Sequence, residues 1–272
     1  HHDTDSNHSV TRFEHGRFWT ANPSQPEADT MVVNEQGRIA WIGQATELPE
    51  IYTGSACRVV NLEGARVIPG FVDAHMHAVM LANFAPQISA LPPAVNSIED
   101  LVNAIAARRA QQGPDAWIEG WGYDEGLFAE KRSPTRWDLD RGCADAPVCI
   151  MRTCGHIRCV NSRALELAGI TRDTPDPAGG EIERNANGEP TGVLKETARN
   201  LVTPVIPKPS REDAVHNIVA LGQLLASQGV VAGTDMCSVD GTDTHPLLID
   251  AARHGLPQDI ASYMLWDYIK AN

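Results

Sequence analysis

Two histidines one residue apart have the residue type and spacing best suited to chemistry. His75 and His77 flank Met76 and follow the apolar run of residues 67–74. On an extended strand, residues i and i+2 point to the same face, so both imidazoles can reach a single ion. Imidazole binds zinc and similar divalent ions, and an open zinc site lowers the pKa of its bound water to about 7. The spacing predicts a catalytic metal site, and two solvated histidines at a strand end are the alternative.

The elements before the pair are predicted to be short strands and turns. Residues 30–34 and 38–43 are strand-like and are separated by the turn Glu35-Gln36-Gly37. A small antiparallel β unit is therefore expected between residue 11 and about residue 62. Residues 65–75 are largely apolar without clean alternation. That pattern is typical of a strand that is buried on both faces of a parallel sheet.

After the pair, predicted helices alternate with predicted strands. Ser97 with Asp100 marks one helix start, and Ser210 with Asp213 marks another. Strands are predicted at residues 117–120, 147–151, 230–234 and around 260–265. This order predicts an α/β domain with a parallel sheet. Residues 171–190, rich in Asp, Pro, Gly and Asn, are expected to form a long surface excursion.

Composition excludes several classes of function. The 272 residues are 42% hydrophobic and 21% charged, as in ordinary globular proteins. A formal charge of -13, from 35 acidic and 22 basic residues, argues against a nucleic-acid partner. No apolar run approaches the roughly 18 residues that a membrane span needs, so no membrane partner is expected. The 6 cysteines are too sparse for a disulfide scaffold and are predicted to be mostly buried thiols.

The start of the sequence leaves the cellular location open. The chain begins His1-His2-Asp3 without methionine. Either a signal peptide was removed, which implies a periplasmic or secreted protein, or a tag remnant survives on a cytoplasmic one.

Four segments carry a resemblance to a known family. Residues 69–77, Pro-Gly-Phe-Val-Asp-Ala-His-Met-His, resemble the first-strand signature of the amidohydrolase superfamily. Residues 120–124, 152–156 and 188–196 are similar to its YtcJ-like branch, the amidohydrolase-3 type. The resemblance runs from about residue 11 to the end. It implies an α/β fold in which residues 67–272 form an incomplete (β/α)8 metal-dependent hydrolase barrel. A long insertion is expected at about 85–208, and residues 1–66 are expected to be an N-terminal β-sandwich portion.

The resemblance also implies an activity. In this family one or two divalent ions, with zinc the first candidate, activate water for attack on an amide-like carbonyl. Members close to this pattern remove acyl or formyl groups from N-substituted amides, so a small-molecule substrate is expected. Glu196 is the candidate for a further, bridging metal ligand, and carbamylated Lys195 is its rival. A surface carboxylate favoured by a helix dipole is the simpler explanation of Glu196.

Three residues are candidates for the substrate side of the site. His156 follows an apolar strand in a Cys-Gly-His turn, where it can face a pocket or make a structural hydrogen bond. Trp121 and Asp124 are expected to line the substrate channel, and a packing role is the alternative for Trp121. Asp235 ends a predicted strand at a position where barrel enzymes place functional groups, and a helix N-cap is the simpler interpretation.

The sequence accounts for only part of such a site. A complete barrel needs eight strand-helix units and about 250 residues, and too few units follow residue 210. The family's two later histidines and its aspartate general base have no counterpart before Asn272, so the general base is expected outside this chain. A C-terminal half or a homo-oligomer would then complete a hydrolase. The alternative is a truncated non-catalytic fragment that serves as a binding or assembly module. Either way, an exposed sheet edge and exposed apolar faces are expected.

Overall fold

The protein is described by a computed structural model covering residues 9–236 and 244–263. The chain divides into two compact units, residues 1–72 and 73–272. The predicted domain bounds at 66 and 67 and the predicted insertion at about 85–208 stay predictions. The strands that precede the histidine pair are β1 Thr11–Glu14, β2 Arg17–Trp19, β3 Glu27–Ala28, β4 Thr30–Val33, β5 Ile39–Gly43, β6 Arg58–Asn61 and β7 Arg66–Val67.

The first unit contains two small sheets, in the orders β5-β4-β1-β6 and β3-β2-β7. Three strand pairs are antiparallel: β1 with β4, β4 with β5, and β2 with β3. However, β6 runs parallel to β1, and β7 runs parallel to β2. The prediction of an antiparallel unit is therefore confirmed for three strand pairs and was wrong for these two. The connection from β5 to β6, which includes the 3-10 helices Ala45–Glu47 and Glu50–Tyr52, is long enough for a parallel return.

Helices and strands alternate along most of the second unit, as predicted, but at two places one strand directly follows another. Its helices are α1 Ala78–Phe84, α2 Ile98–Gln111, α3 Arg136–Gly142, α4 Ser162–Leu167, α5 Arg211–Ser227 and α6 His245–Arg253. Its strands are β8 Phe71–Met76, β9 Ile88–Ser89, β10 Ile118–Tyr123, β11 Val148–Arg152, β12 Ile157–Val160, β13 Gly180–Arg184, β14 Pro190–Glu196, β15 Val230–Asp235 and β16 Asp259–Ser262. The first two residues of β8, Phe71 and Val72, belong to the first unit.

Strand β8 belongs to a three-stranded sheet in the order β16-β15-β8. Strands β15 and β16 are parallel. The Met236 N–H donates to Met76 O at 2.7 Å, and a Cβ on Gly233 would lie 3.4 Å from Asp73 O. The step from Asp73 to Met76 on one side matches the step from Gly233 to Met236 on the other. The two segments therefore run in the same direction, and β8 and β15 are parallel too. Helices α1, α5 and α6 pack with this sheet around a core of Met76, Ala78, Val79, Ala82, Val215, Ile218, Leu248 and Ala251.

The prediction that β8 is buried on both faces was wrong. It is an edge strand among the described residues, and its first five residues are exposed. Phe71 is 57% exposed and Val72 is 68% exposed. An apolar strand is buried only when neighbours cover both its faces and both its edges, and the described part of the chain supplies one neighbouring strand. The expectation of an exposed sheet edge is thereby confirmed.

The other sheet of the second unit has six strands in the order β13-β14-β12-β11-β10-β9. Strands β9, β10 and β11 are parallel, whereas the pairs among β11, β12, β14 and β13 are antiparallel. The sheet is thus mixed, not purely parallel as predicted. The expected excursion at residues 171–190 contains β13, which is paired with β14, so that prediction was wrong in part.

Two predicted helix starts are confirmed. The Ser97 hydroxyl accepts from the Asp100 N–H at 2.9 Å, and the Ser210 hydroxyl accepts from the Asp213 N–H at 3.1 Å. Across residues 9–236 and 244–263 the sheets are open, and none closes into a barrel. In that same part of the chain, no helix is long and apolar enough to cross a membrane.

The cysteines match their prediction in part. Within the described residues, Cys143, Cys149 and Cys159 are buried free thiols, Cys57 is half-buried and Cys154 is exposed. Cys237 lies outside the described residues.

Candidate functional site

The two histidines lie side by side at the end of β8. Their ring centroids are 5.6 Å apart, and the ring planes make an angle of 76°. His75 is exposed and His77 is half-buried, directly before the first residue of α1. Two imidazoles at this separation can direct one nitrogen each to a shared ion.

The environment of His77 determines which ring nitrogen can act as a ligand. Its Nδ1 lies 3.1 Å from the carbonyl oxygen of Met236, just past the end of β15. Because a carbonyl oxygen only accepts, Nδ1 must carry the hydrogen in this contact. The Nε2 atom of the neutral ring then has its lone pair free for a ligand, the arrangement that metal-binding histidines usually show.

The described residues fit a metal site only in part. Two neutral imidazole nitrogens suit zinc and related ions, but such ions take four or more ligands. Across residues 9–236 and 244–263, no group of three or more His, Cys, Asp or Glu residues is arranged to hold a metal. Metal binding by His75 and His77 therefore remains a prediction, and any further ligand must move or come from elsewhere.

Two other predicted site residues contact each other. The Nδ1 atom of His156 lies 3.1 Å from Oε2 of Glu196, and the two side chains are 61% and 59% exposed. The backbone is tied at the same place, because the Glu196 N–H donates to the His156 carbonyl at 2.9 Å. The sequence had placed Glu196 with the metal and His156 with the substrate. The structure joins them as one carboxylate-imidazole pair.

Glu196 has an unusual backbone. Its φ of 51° and ψ of -124° belong to a region that L residues rarely adopt, and it precedes the 3-10 helix Thr197–Leu201. Such a conformation costs on the order of 1–3 kcal/mol and is found most often at functional sites.

Lys195, the rival ligand, is engaged differently. Its Nζ lies 3.2 Å from Oε2 of Glu183 and 3.4 Å from Oε1 of Glu181. Desolvation would lower the pKa of this amine, but the two carboxylates raise it above its ordinary value. Carbamylation needs a neutral amine, so this environment opposes the carbamate and favours Glu196 as the candidate.

The turn that carries His156 is tightly held. The Cys154 sulfur accepts from the His156 N–H at 3.4 Å, and Arg199 donates to the Gly155 carbonyl. Burial would raise the pKa of the Cys154 thiol, but the His156 N–H and the Arg152 guanidinium outweigh it and lower that pKa.

Arg152 is further paired with Glu125, a residue that the sequence analysis missed. The Arg152 Nε donates to a Glu125 oxygen at 2.9 Å, and this bond lowers the pKa of the Glu125 carboxyl. The two residues are 27 positions apart, so no local spacing could have revealed the pair.

The remaining substrate-side candidates make structural contacts. Trp121 stacks on Phe84 with centroids 5.1 Å apart and planes 15° from parallel, which supports the packing alternative. Asp124 Oδ1 accepts from the Gly126 N–H at 2.9 Å and lies 3.9 Å from an Arg152 nitrogen. Their contact with a substrate stays a prediction.

Asp235 is not the N-cap residue of a helix, contrary to the simpler interpretation, because the N-cap residues of α1 and α6 are His77 and Thr244. Asp235 is 1% exposed, and its Oδ1 accepts from the Ala78 N–H, the first residue of α1, at 2.8 Å. Its Oδ2 accepts from the Thr244 hydroxyl at 3.1 Å, next to the start of α6. Asp235 thus accepts from the first N–H of α1, a helix that is distant from it in sequence.

Residues 58–267 match the model of the amidohydrolase family. The chain belongs to this family.

Two relatives illustrate the match. The chain is 34% identical over 219 residues to a protein named as amidohydrolase YtcJ of Bacillus subtilis (strain 168), covering 80% of this chain and 41% of the relative. It is 36% identical over 167 residues to the N-substituted formamide deformylase of Arthrobacter pascens, covering 61% of this chain and 30% of the relative. The chain therefore spans less than half the length of either.

A solved structure shares the fold. The crystal structure of an uncharacterized metal-dependent hydrolase from Pyrococcus horikoshii OT3 matches with a TM-score of 0.68 and 24% identity. The match covers 97% of this chain and 50% of that one. The mixed α/β fold described above therefore corresponds to half of that hydrolase.

Proposed function

We propose that this chain supplies the first metal ligands of a hydrolase that cleaves the C–N bond of an N-acyl or N-formyl substituted amide. The observation that carries the proposal is the His75–His77 pair, with rings 5.6 Å apart at the end of β8. Membership of the amidohydrolase family and the N-substituted formamide deformylase among its relatives support the reaction class.

A divalent ion, with zinc as the first choice, would supply an activated water and polarise the carbonyl of the substrate. The residues of this chain would act around it. His75 and His77 offer imidazole nitrogens, and the Met236 carbonyl keeps the hydrogen of His77 on Nδ1. The general base is proposed to come from outside this chain.

The His156–Glu196 pair is the proposed substrate side of the same site. Glu196 Oε2 holds His156 Nδ1, so the imidazole would present Nε2 to a substrate. Glu196 also remains the proposed further metal ligand. In that role its carboxylate would bind the ion through its other oxygen, Oε1, or would release His156 and bind the ion instead.

A second chain is proposed to complete the site. Edge strand β8 leaves Phe71 and Val72 more than half exposed, and an apolar edge of this kind pairs readily with another strand. We propose a C-terminal half of the barrel as the partner, with a second copy of this chain as the other candidate. The same exposed edge favours one alternative function, a non-catalytic binding or assembly module that needs a complementing chain.

Formate release separates the two functions. The protein, purified with any chain that accompanies it and supplied with zinc, is incubated with an N-substituted formamide. The hydrolase proposal expects release that falls at least about 100-fold in the double variant His75→Ala/His77→Ala, because several kcal/mol of transition-state stabilisation are lost. The control is His216→Ala, which removes an exposed histidine from α5.

Equal release by the parent and the double variant would contradict a role for the pair. No release by any preparation, including one with a complementing chain bound, would favour the assembly module.

A further inference from the structure

The end of β15 is built around a buried carboxylate that faces two helix starts. Asp235 is 1% exposed, and each of its oxygens has a hydrogen-bond donor. Oδ1 accepts from the Ala78 N–H at 2.8 Å, and Oδ2 accepts from the Thr244 hydroxyl at 3.1 Å. A buried carboxylate is costly unless it is fully hydrogen-bonded, so these contacts define the position of Asp235 closely.

His77 and Met236, the sequence neighbours of Ala78 and Asp235, contact each other at the candidate metal site. Ala78 directly follows His77, and Met236 directly follows Asp235. The Met236 carbonyl meets His77 Nδ1 at 3.1 Å, and the Met236 N–H donates to Met76 O at 2.7 Å. The β8–α1 junction and the end of β15 are thus joined by three hydrogen bonds, of which the Asp235–Ala78 bond is buried.

The geometry points to Asp235 as a positioning residue for His77. By holding the start of α1 against the end of β15, Asp235 keeps the Met236 carbonyl beside Nδ1 of His77. That carbonyl selects the ring form with hydrogen on Nδ1 and leaves Nε2 as the ligand nitrogen. Both oxygens of Asp235 already accept hydrogen bonds, so its proposed role is to position His77 and not to bind the ion. This inference rests on the proposed metal site.

The inference has a readout that needs no metal. In the metal-free protein at a pH of about 8, where an ordinary imidazole is neutral, nitrogen NMR distinguishes hydrogen on Nδ1 from hydrogen on Nε2. The parent is expected to show His77 with hydrogen on Nδ1. In Asp235→Ala the contact loosens, and the signal should shift toward the Nε2–H form.

Zinc affinity, measured by calorimetry, is the second readout. Groups that hydrogen-bond a metal-binding histidine typically contribute 10–100-fold to metal affinity. Because Asp235 acts on His77 through the Met236 carbonyl, Asp235→Ala is expected to weaken zinc binding by about tenfold, the lower end of that range. Asp235→Asn keeps an oxygen for the Ala78 N–H and should lose less. Thr244→Val removes only the bond to Oδ2 and should also lose less.

The matched control is Ser210→Ala, which removes the N-cap of α5 without touching the His77 contacts. It is expected to leave the tautomer and the zinc affinity unchanged. Circular dichroism establishes that each variant is folded, and if Asp235→Ala unfolds, Asp235→Asn and Thr244→Val decide the question.

Unchanged His77 tautomer in folded Asp235 and Thr244 variants would overturn the inference. A parent that binds no zinc contradicts the proposed function instead, and the tautomer of the metal-free protein still tests the role of Asp235.

Discussion

The two sheets of the second unit differ in how completely they are covered. In the six-stranded sheet, the central strands β10 and β11 are largely buried, and Ile118, Val148 and Ile150 have no exposed surface. In the three-stranded sheet, β8 is an exposed edge strand that carries His75 and His77. The strand that leads to the candidate metal ligands is thus also a strand with exposed apolar side chains. The buried core is concentrated in the six-stranded sheet, whereas the candidate metal ligands lie on the three-stranded one. The His156–Glu196 pair lies beside β12 and at the end of β14, in the six-stranded sheet.

The largest expected effect comes from the covered sheet. Ile150→Ala removes a fully buried side chain from β11 and should lower the free energy of unfolding by about 3 kcal/mol. Val72→Ala on β8, where the side chain is 68% exposed, should change it by less than about 0.5 kcal/mol. Urea unfolding measures both. Similar losses for the two variants would break the distinction between the sheets.

The start of α3 provides a second test. Asp138 is buried, and it accepts from Arg132 at 2.6 and 2.8 Å and from the Thr135 N–H at 2.8 Å. Burial would raise the pKa of this carboxyl, but the Arg132 guanidinium and the Thr135 N–H outweigh it and lower that pKa. Asp138→Asn should therefore cost about 2 kcal/mol at neutral pH, through the lost cap and ion pair.

The pH dependence has a definite sign. Because the carboxyl pKa is lower in the folded state, its contribution is fully present above the unfolded value of about 3.9 and is lost as the pH falls below it. The stability difference between the parent and Asp138→Asn should shrink as the pH falls from about 5 toward 2. A difference that is constant over this interval would contradict the assignment.

The exposed edge of β8 predicts self-association. Val72→Lys places a charge on this edge and should weaken association of the purified chain by about tenfold, the equivalent of one buried valine. Sedimentation velocity over a concentration series measures it, with Val33→Lys on the first unit's β4 as the matched control. An unchanged sedimentation profile in Val72→Lys would mean that this edge is not the associating surface.

The smallest expected effect is at the His156–Glu196 pair. Both side chains are more than half exposed, so the coupling energy from a double-mutant cycle with His156→Gln and Glu196→Gln should be about 0.2–1 kcal/mol. A coupling energy well above this range would mean that the pair is far less solvated than its exposure implies.

Much of the local structure was predictable because its signals are local. The Ser97 and Ser210 caps and the helices that they begin follow from side chains three residues apart, which one turn of helix brings together. The convergence of His75 and His77 likewise follows from strand alternation alone.

What the sequence could not predict depends on contacts between distant residues. The apolar run of β8 predicts burial, but its exposure is decided by which strands lie beside it. Asp235 and Ala78 are 157 positions apart, and His156 and Glu196 are 40 apart. The pairing of β13 with β14 likewise turned a loop-like composition into a strand, because backbone hydrogen bonds outweigh a weak local preference.

The central claim is that His75 and His77 bind one ion together. Zinc content and zinc X-ray absorption of the purified protein, alone and with any co-purifying partner, test it most directly. We expect stoichiometric zinc with imidazole nitrogens at about 2.0–2.1 Å, and loss of that zinc in His75→Ala/His77→Ala but not in His216→Ala. Equal zinc content in the parent and the double variant would contradict it.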